Sequence, residues 1–245
     1  MRVVYDNAMD FKAIIEALAK MVDEASLTFN SDAMELTAID RAHISLIKLR
    51  FPKEAFKEYD ITEEFRLGFN TQYMLKVLRS AKKKEQLEME SQDPSQINLK
   101  IIGSMVRDFV VRNIEISASE IPEINFQFDV KAKVVSSGFK RAINEIYTVS
   151  DSVQFNATES SLLLKSAGES EIEVEFTKDM GGLQEISIEK PVSSTYSAEY
   201  LNDVLVLTKL SGFTKILYSE QKPLQLEFNM DNGGNVVYLL APQAG

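Results

Sequence analysis

The chain has 245 residues, enough for one large domain or two of ordinary size, and 44% of them are hydrophobic while 26% are charged. With 10 glycines and 6 prolines, the composition is typical of a folded globular protein. The absence of cysteine and the single histidine exclude disulfide frameworks, thiolate zinc sites, Cys-His nucleophile pairs and multi-histidine metal centres.

The net charge of -10 argues against a nucleic-acid partner unless the 27 basic residues are concentrated on one face. Asp6 and Asp10 lie where a signal peptide needs its apolar segment, and no apolar run approaches the roughly 18 residues that cross a bilayer. We therefore expect a cytoplasmic protein without a membrane partner.

The first predicted helix carries Phe11, Ile14 and Leu18 at spacings of three and four residues, which form one apolar stripe. Asp10 precedes this stripe and is the candidate N-cap. Segments of alternating polarity then predict several strands, and a second helix is predicted from about Thr71 to Ala81, before two further strands. The first half of the chain is thus two helices and many short strands.

The second half repeats this plan. An offset of 128 residues places Phe11 over Phe139, and an offset of 127 places Tyr73 over Tyr200. The corresponding helices are predicted near Ser137–Tyr147 and Ala198–Lys209. The order of elements indicates an α+β fold of two topologically similar domains, each with two helices on one side of antiparallel strands. The predicted boundaries are 1–113 for the first domain, 114–127 for a connector and 128–245 for the second domain.

Basic residues recur on the helix faces that point away from the predicted core. At 100 degrees per residue, Tyr73 and Val77 define the core side of the second helix, while Lys76 and Arg79 lie opposite. A solvated lysine face is common on any helix, so the argument depends on the whole set. The candidate phosphate-facing residues are Lys12, Lys20, Lys76, Arg79, Lys82, Lys83, Lys84, Lys140, Arg141 and Lys209.

Three short motifs, in this order and at this spacing, resemble those of the sliding clamps of the PCNA type, most closely the archaeal subunits. They are DRAHISLI at Asp40–Ile47, EIPEI at Glu120–Ile124 and LAP at Leu240–Pro242. The resemblance covers essentially the whole chain and includes the repeat. It leaves open whether this is one paralogue of a mixed trimer.

The resemblance implies a trimeric ring with sheets outside and helices lining a hole that encloses duplex DNA, without sequence selectivity. It implies a non-enzymatic, nucleoid-associated processivity factor for replication and repair, with no cofactor and no metal. The implied partners are other clamp subunits, DNA polymerase, flap endonuclease, DNA ligase and a separate clamp loader. The lining residues carried over by the resemblance are Lys12, Lys20, Lys76, Arg79 and Arg141.

The resemblance also assigns two protein-binding surfaces. A pocket for short client peptides would be formed by Ile39, His43, Ile44, Leu46, Ile121, Pro122, Pro223, Leu239, Ala241 and Pro242. For His43 we expect a partly buried imidazole that shapes the pocket wall, whereas Ile44 and Leu46 could equally be plain core. Ring closure would pair edge strands between subunits, through Arg107, Phe109, Val111 and Arg112 on one side and Glu173, Glu175 and Lys178 on the other.

Two other functions remain open at this stage. A ring scaffold of the DNA-damage checkpoint type would share the fold and serve a narrower set of clients. A carboxylate-dependent magnesium hydrolase would use some of the 37 acidic residues, but the chain shows no repeated acidic cluster at strand ends and no phosphate-binding glycine loop.

Overall fold

The computed structural model describes residues 1–116, 126–166 and 171–243. The helices are α1 (Ala8–Met21), α2 (Thr71–Leu78), α3 (Ser136–Tyr147) and α4 (Ala198–Val204), with 3-10 turns at Lys53–Ala55 and Leu205–Lys209. The strands in the first part of the chain are β1 (Arg2–Tyr5), β2 (Glu24–Phe29), β3 (Ala33–Ile39), β4 (Ser45–Pro52), β5 (Glu58–Asp60), β6 (Phe65–Asn70), β7 (Gln86–Glu90), β8 (Gln96–Ile102) and β9 (Val106–Arg112). The remaining strands are β10 (Val130–Val135), β11 (Ser152–Ala157), β12 (Ser161–Ser166), β13 (Glu173–Thr177), β14 (Leu183–Ile188), β15 (Ser193–Ser197), β16 (Phe213–Tyr218), β17 (Leu224–Asn229) and β18 (Asn235–Leu240).

The chain forms two compact units, and neither is a single stretch of sequence. Unit 1 comprises Met1–Arg41, Ile47–Ile121 and Met230–Val236, and unit 2 comprises Ala42–Leu46, Pro122–Asn229 and Val237–Gly245. Each unit takes a short segment from the other half of the chain, so the first two residues of β4 and of β18 are grouped apart from the rest of each strand.

The strand order confirms the predicted duplication. In unit 1, five strands form a sheet in the order β5-β1-β7-β8-β9, and four further strands are neighbours in the order β4-β3-β2-β6. In unit 2, the orders β14-β10-β16-β17-β18 and β13-β12-β11-β15 are the same with nine added to every strand number. Neighbouring strands pair in antiparallel fashion, for example β1 with β7 and β10 with β16. The predicted α+β fold of two similar domains is therefore correct.

Two helices pack side by side in each unit, α1 with α2 and α3 with α4. Their buried faces are apolar, as at Phe11 and Phe139, which are 4% and 0% exposed. The second helix of each unit begins at an equivalent cap: the Tyr73 amide donates to Asn70 Oδ1, and the Tyr200 amide donates to Ser197 Oγ.

The predicted N-cap of α1 is wrong. The helix begins three residues earlier than Asp10 implied, and Asn7 caps it by accepting from the Met9 amide at 3.3 Å. Asp10 lies in the first turn and accepts from the Tyr5 hydroxyl at 2.9 Å. Ala8 in the added residues is also buried, which the apolar stripe alone did not reveal.

The two second helices are shorter than predicted. α2 ends at Leu78 instead of Ala81, and Tyr73, expected on the core side, is 48% exposed. α4 ends at Val204, after which the chain tightens into a 3-10 turn in which Thr208 Oγ1 donates to the Leu205 carbonyl at 2.6 Å. Short helices give too few turns for the periodicity to fix their phase and end.

An extended segment covers one sheet edge in each unit. In unit 1, the Ile114 amide donates to the Gly68 carbonyl on β6 at 3.0 Å. In unit 2, the Gln243 amide donates to the Thr195 carbonyl on β15 at 2.9 Å. A Cβ on Gly68 would lie only 2.0 Å from the Ile114 carbonyl oxygen, so this close crossing requires glycine. Covered edges are protected from pairing with other chains.

Candidate nucleic-acid interface and protein-binding surfaces

The strongest basic concentration lies on α2 and the segment that follows it. Between Thr71 and Lys84 the chain has five basic residues and no acidic residue. All five side chains are exposed, and none of them makes an ion pair with any residue that the structure describes; they are Lys76, Arg79, Lys82, Lys83 and Lys84. We refer to Arg79–Lys84 as the basic segment. Its unpaired charges create a positive potential suited to phosphate groups.

α1 contributes differently from α2. Lys20 is exposed in the last helical turn, whereas Lys12 is half-buried, with its Nζ donating to the Arg79 carbonyl at 2.9 Å. Gln72 Nε2 donates to the Ala19 carbonyl at 2.9 Å, which holds α2 beside α1. The structure thus brings Lys12 to the end of α2, within the region that carries the basic segment.

The helices of unit 2 carry fewer available cations. Arg141 is exposed but forms an ion pair with Glu145 one turn later, at 2.8 Å. Lys140 is half-buried, and Lys209 is exposed at the end of the 3-10 turn. Glu199 and Asp203 on α4 add negative charge where α2 has none. The positive surface is therefore uneven between the two units.

Most residues of the predicted peptide pocket lie in unit 2, where the Ala241 amide donates to the Ile44 carbonyl at 2.8 Å. Ile44 is 38% exposed, whereas Leu46 and Leu239 are buried at 5% and 8%. Pro223, Ala241 and Pro242 are half-buried, and so is Ile39, which belongs to unit 1. Ile121 and Pro122 lie outside the described residues.

His43 differs from its prediction. Its side chain is exposed, not partly buried, and its backbone φ of 57° lies in the left-handed region. The residue occupies the turn that leads into β4, where a tight reversal places the imidazole in solvent. Ile44, which follows it, presents the apolar surface of this turn.

The predicted ring-closing strands are both sheet edges. β9 ends the order β5-β1-β7-β8-β9, and β13 ends the order β13-β12-β11-β15. On β9, Arg112 is exposed, Phe109 is half-buried and Val111 is buried at 1%. On β13, Glu175 is exposed and Glu173 pairs with Lys165, while Lys178 is exposed just beyond the strand.

The outward face of β9 carries two exposed valines beside the charged residues Asp108 and Arg112. Val106 and Val110 are 62% and 56% exposed, and the neighbouring Met105 is 62% exposed. The family resemblance assigned this strand to the subunit contact through Arg107, Phe109, Val111 and Arg112, and it did not single out the exposed valines. Their alternation with Arg107 and Phe109 was the available signal, since successive side chains of a strand point to opposite faces.

Unit 2 also contains an open groove of about 510 Å³ that no sequence motif indicated. Phe126, Phe128 and Leu217 supply its apolar lining, and Lys131 and Glu189 its charged lining. Its residues are spread over several segments, so only the folded chain brings them together.

The described ranges contain no group of three or more histidine, cysteine, aspartate or glutamate residues that could hold a metal ion. In the same ranges, no helix is long and apolar enough to cross a membrane.

The twofold repeat of two helices and antiparallel strands, with exposed cations on the helices, defines the class of clamp-like proteins. Two solved structures share this fold: PCNA from Thermococcus kodakaraensis (TM-score 0.92, 28% identity, 99% of both chains covered) and a PCNA2-PCNA3 complex from Sulfolobus tokodaii (TM-score 0.93, 29% identity, 100% of both chains covered).

Residues 1–120 match the family Proliferating cell nuclear antigen, N-terminal domain, and residues 120–243 match its C-terminal domain. The chain is 52% identical over 243 residues to DNA polymerase sliding clamp 1 of Sulfurisphaera ohwakuensis and 44% identical over 245 residues to that of Sulfolobus acidocaldarius, with 99% of each chain covered. The chain belongs to the proliferating cell nuclear antigen family.

Proposed function

We propose that this chain is a subunit of a DNA sliding clamp, a trimeric ring that encloses duplex DNA and tethers replication and repair enzymes to it. The observation that carries this proposal is the row of unpaired, exposed cations on α2 and the basic segment of an otherwise acidic protein of the PCNA family. Relatives that are similar over their full length are named DNA polymerase sliding clamps.

The physical logic suits a protein that slides. Cations attract phosphates without reading bases, so binding to them fixes no register along the duplex. Contacts of this kind weaken as salt rises, because counterions are released when phosphates are neutralised. Enclosure by a ring supplies the persistence that weak contacts lack. The proposed phosphate-facing residues are Lys20, Lys76, Arg79, Lys82, Lys83, Lys84, Lys140, Arg141 and Lys209.

Two surfaces would serve protein partners. The exposed edges β9 and β13 are suited to strand pairing between subunits, either copies of this chain or paralogues. The turn at His43 and Ile44, with Leu239 and Ala241 beside it, would receive the apolar anchors of client peptides from DNA polymerase, flap endonuclease and DNA ligase. Opening the ring would fall to a separate clamp loader.

The proposal is tested by reversing charge on α2. Sedimentation first establishes whether the chain assembles alone or needs paralogues, and the assembled ring is then used on primed circular DNA. We expect Lys76→Glu with Arg79→Glu to weaken stimulation of DNA synthesis by about tenfold or more at physiological salt, with a smaller loss at low salt. The readout is synthesis by DNA polymerase as a function of salt.

The matched control is Lys53→Glu with Lys57→Glu, which makes the same change in charge at two exposed lysines in the turn between β4 and β5. If the control loses as much stimulation as the α2 variant, net charge and not the helix surface is responsible. If the α2 variant assembles and stimulates synthesis like the wild type, the assigned role of these residues is wrong.

A further inference from the structure

Two cations from different elements donate to the backbone carbonyls of the two residues that follow α2. Lys12 on α1 donates through Nζ to the Arg79 carbonyl at 2.9 Å, and Arg107 on β9 donates through Nη1 to the Ser80 carbonyl at 2.7 Å. The final carbonyls of a helix lack intrahelical partners and carry partial negative charge. Cations at this position therefore satisfy acceptors that would otherwise depend on water.

Arg107 is held a second time, by Glu85. Its Nη2 lies 2.5 Å from Glu85 Oε1, and the two side chains are only 19% and 11% exposed. Glu85 Oε2 in turn accepts from the Lys82 amide at 2.7 Å. The close contact with the Arg107 guanidinium is the main cause that lowers the pKa of Glu85 from its ordinary value. This chain of contacts joins the edge strand β9 to the middle of the basic segment.

The strand geometry explains why Arg107 is engaged inside unit 1. On β9, residues 107, 109 and 111 are half-buried or buried, whereas residues 106, 108, 110 and 112 are exposed. Arg107 thus belongs to the inward face, and Arg112 to the outward face. Of the two arginines expected at a subunit contact, the outward one is Arg112.

The basic segment needs such support. It concentrates four like charges in six residues, and Lys84 has a positive φ of 69°, a strained conformation for a residue with a Cβ. Repulsion between its side chains favours a spread of conformations, whereas contacts with the backbone oppose it. Lys12, Arg107 and Glu85 contact its main chain and leave its basic side chains exposed.

We propose that Lys12 and Arg107 are positioning residues, which hold the basic segment in the conformation that presents its lysines to DNA and do not themselves contact phosphate or a neighbouring subunit. This inference rests on the proposed function for the ligand. It also makes the edge strand β9 part of the support for the DNA-facing surface.

The first test needs neither DNA nor a partner subunit. Hydrogen exchange of the Lys82 and Glu85 amides is followed by NMR in the isolated chain. We expect Arg107→Gln to accelerate exchange at Lys82 by about tenfold or more, because the carboxylate that accepts its amide loses its anchor. The control Arg112→Gln removes the exposed arginine of the same strand and leaves exchange at Lys82 unchanged.

The Leu99 amide lies on β8, in the interior of its sheet, and its exchange reports on global stability. Comparing it with Lys82 separates a loss of global stability from a local release of the basic segment. If exchange at Leu99 also accelerates, Arg107→Lys replaces Arg107→Gln, since it keeps the positive charge but replaces the forked guanidinium that contacts both Glu85 and the Ser80 carbonyl. Accelerated exchange at Lys82 in this variant supports the inference. Unchanged exchange at Lys82 in the variant that keeps Leu99 protected overturns it.

The second test uses the assembled ring on DNA. We expect Lys12→Gln and Arg107→Gln to reduce DNA retention severalfold while the slope of log retention against log salt stays the same, because neither residue neutralises a phosphate. Lys82→Gln lowers that slope by about one. A slope reduced by about one in Lys12→Gln would make Lys12 a phosphate contact and overturn its assignment. Failure of the wild-type ring to bind DNA would reject the proposed function, without altering the exchange result.

Discussion

The second helices of the two units differ in charge although they occupy equivalent places. α2 begins at the Asn70 cap and leads into the basic segment, with five cations and no acid from Thr71 to Lys84. α4 begins at the Ser197 cap and carries Glu199 and Asp203 before the single Lys209. The shared part is the cap and the apolar face, which folding requires. Surface charge is not required for folding, so one unit can carry most of the affinity for phosphate.

The largest expected effect tests the buried apolar helix faces that the two units share. Phe11→Ala and Phe139→Ala remove equivalent buried rings from α1 and α3, and each should cost about 3–5 kcal/mol of unfolding free energy. The loss of unfolding free energy for Phe11→Ala should lie at the upper end of this range, because the Phe11 ring also contacts Tyr5 and Phe51 at centroid distances of 5.1 and 5.8 Å. Urea denaturation measures both. A loss below about 1 kcal/mol at either site would break the equivalence of the units.

A smaller difference is expected between two ion pairs. Glu88 has a side chain 9% exposed and contacts Arg2 at 2.7 Å and Lys100 at 2.9 Å, whereas the pair Lys165–Glu173 is 36% and 55% exposed. Glu88→Gln should cost about 1–2 kcal/mol at pH 7 and Glu173→Gln less than about 0.5 kcal/mol. Equal losses of unfolding free energy in urea denaturation would contradict the claim that burial makes the Glu88 ion pairs the more stabilising.

The Glu88 pair also has a defined pH dependence. The hydrogen bond from Lys100 is the main cause that lowers the pKa of Glu88 from its ordinary value of 4.5. A carboxylate with a lowered pKa in the folded state stabilises the protein above the pKa of the unfolded state, and this contribution is lost as the pH falls through the lowered value. The difference between wild type and Glu88→Gln should therefore be full at pH 7 and disappear under strongly acidic conditions.

The smallest expected effect concerns the charge difference itself. Asp203 occupies the position equivalent to Lys76, so Asp203→Lys gives α4 a cation where α2 has one. We expect the salt dependence of DNA retention to steepen by about one phosphate contact and the retention at physiological salt to rise severalfold. Asp203→Asn is the control that removes the acid without adding a cation. No change in slope with Asp203→Lys would mean that α4 does not face the duplex.

Sequence reasoning was most successful where the evidence was repeated. The match of Phe11 to Phe139 and of Tyr73 to Tyr200 predicts the duplication, and the strand orders confirm it. Helix ends were less accurate, since Asp10 is not the cap and α2 stops at Leu78. A helix of eight residues contains little more than two turns, so local pattern cannot settle where it begins, ends or faces.

The roles of individual cations depended on the structure. In the sequence, Lys12 and Lys76 are both lysines on outward helix positions, and Arg107 and Arg112 are both arginines on one strand. Folding places Lys12 and Arg107 on backbone carbonyls at the end of α2, while Lys76 and Arg112 stay exposed. The sequence pattern predicts on which face of a helix or strand a residue lies, whereas the contact partner of its side chain comes from a segment far away in the sequence.

By itself, the sequence determined the class of fold, because apolar periodicity and its repetition are properties of local order along the chain. It also determined that cations are concentrated between Lys76 and Lys84. Only the tertiary structure decided which cations remain available and which support the backbone, since Lys12 is 67 residues from Arg79 and Arg107 is 27 residues from Ser80. Contacts across such separations form when packing brings α1, α2 and β9 together, and no local pattern encodes them.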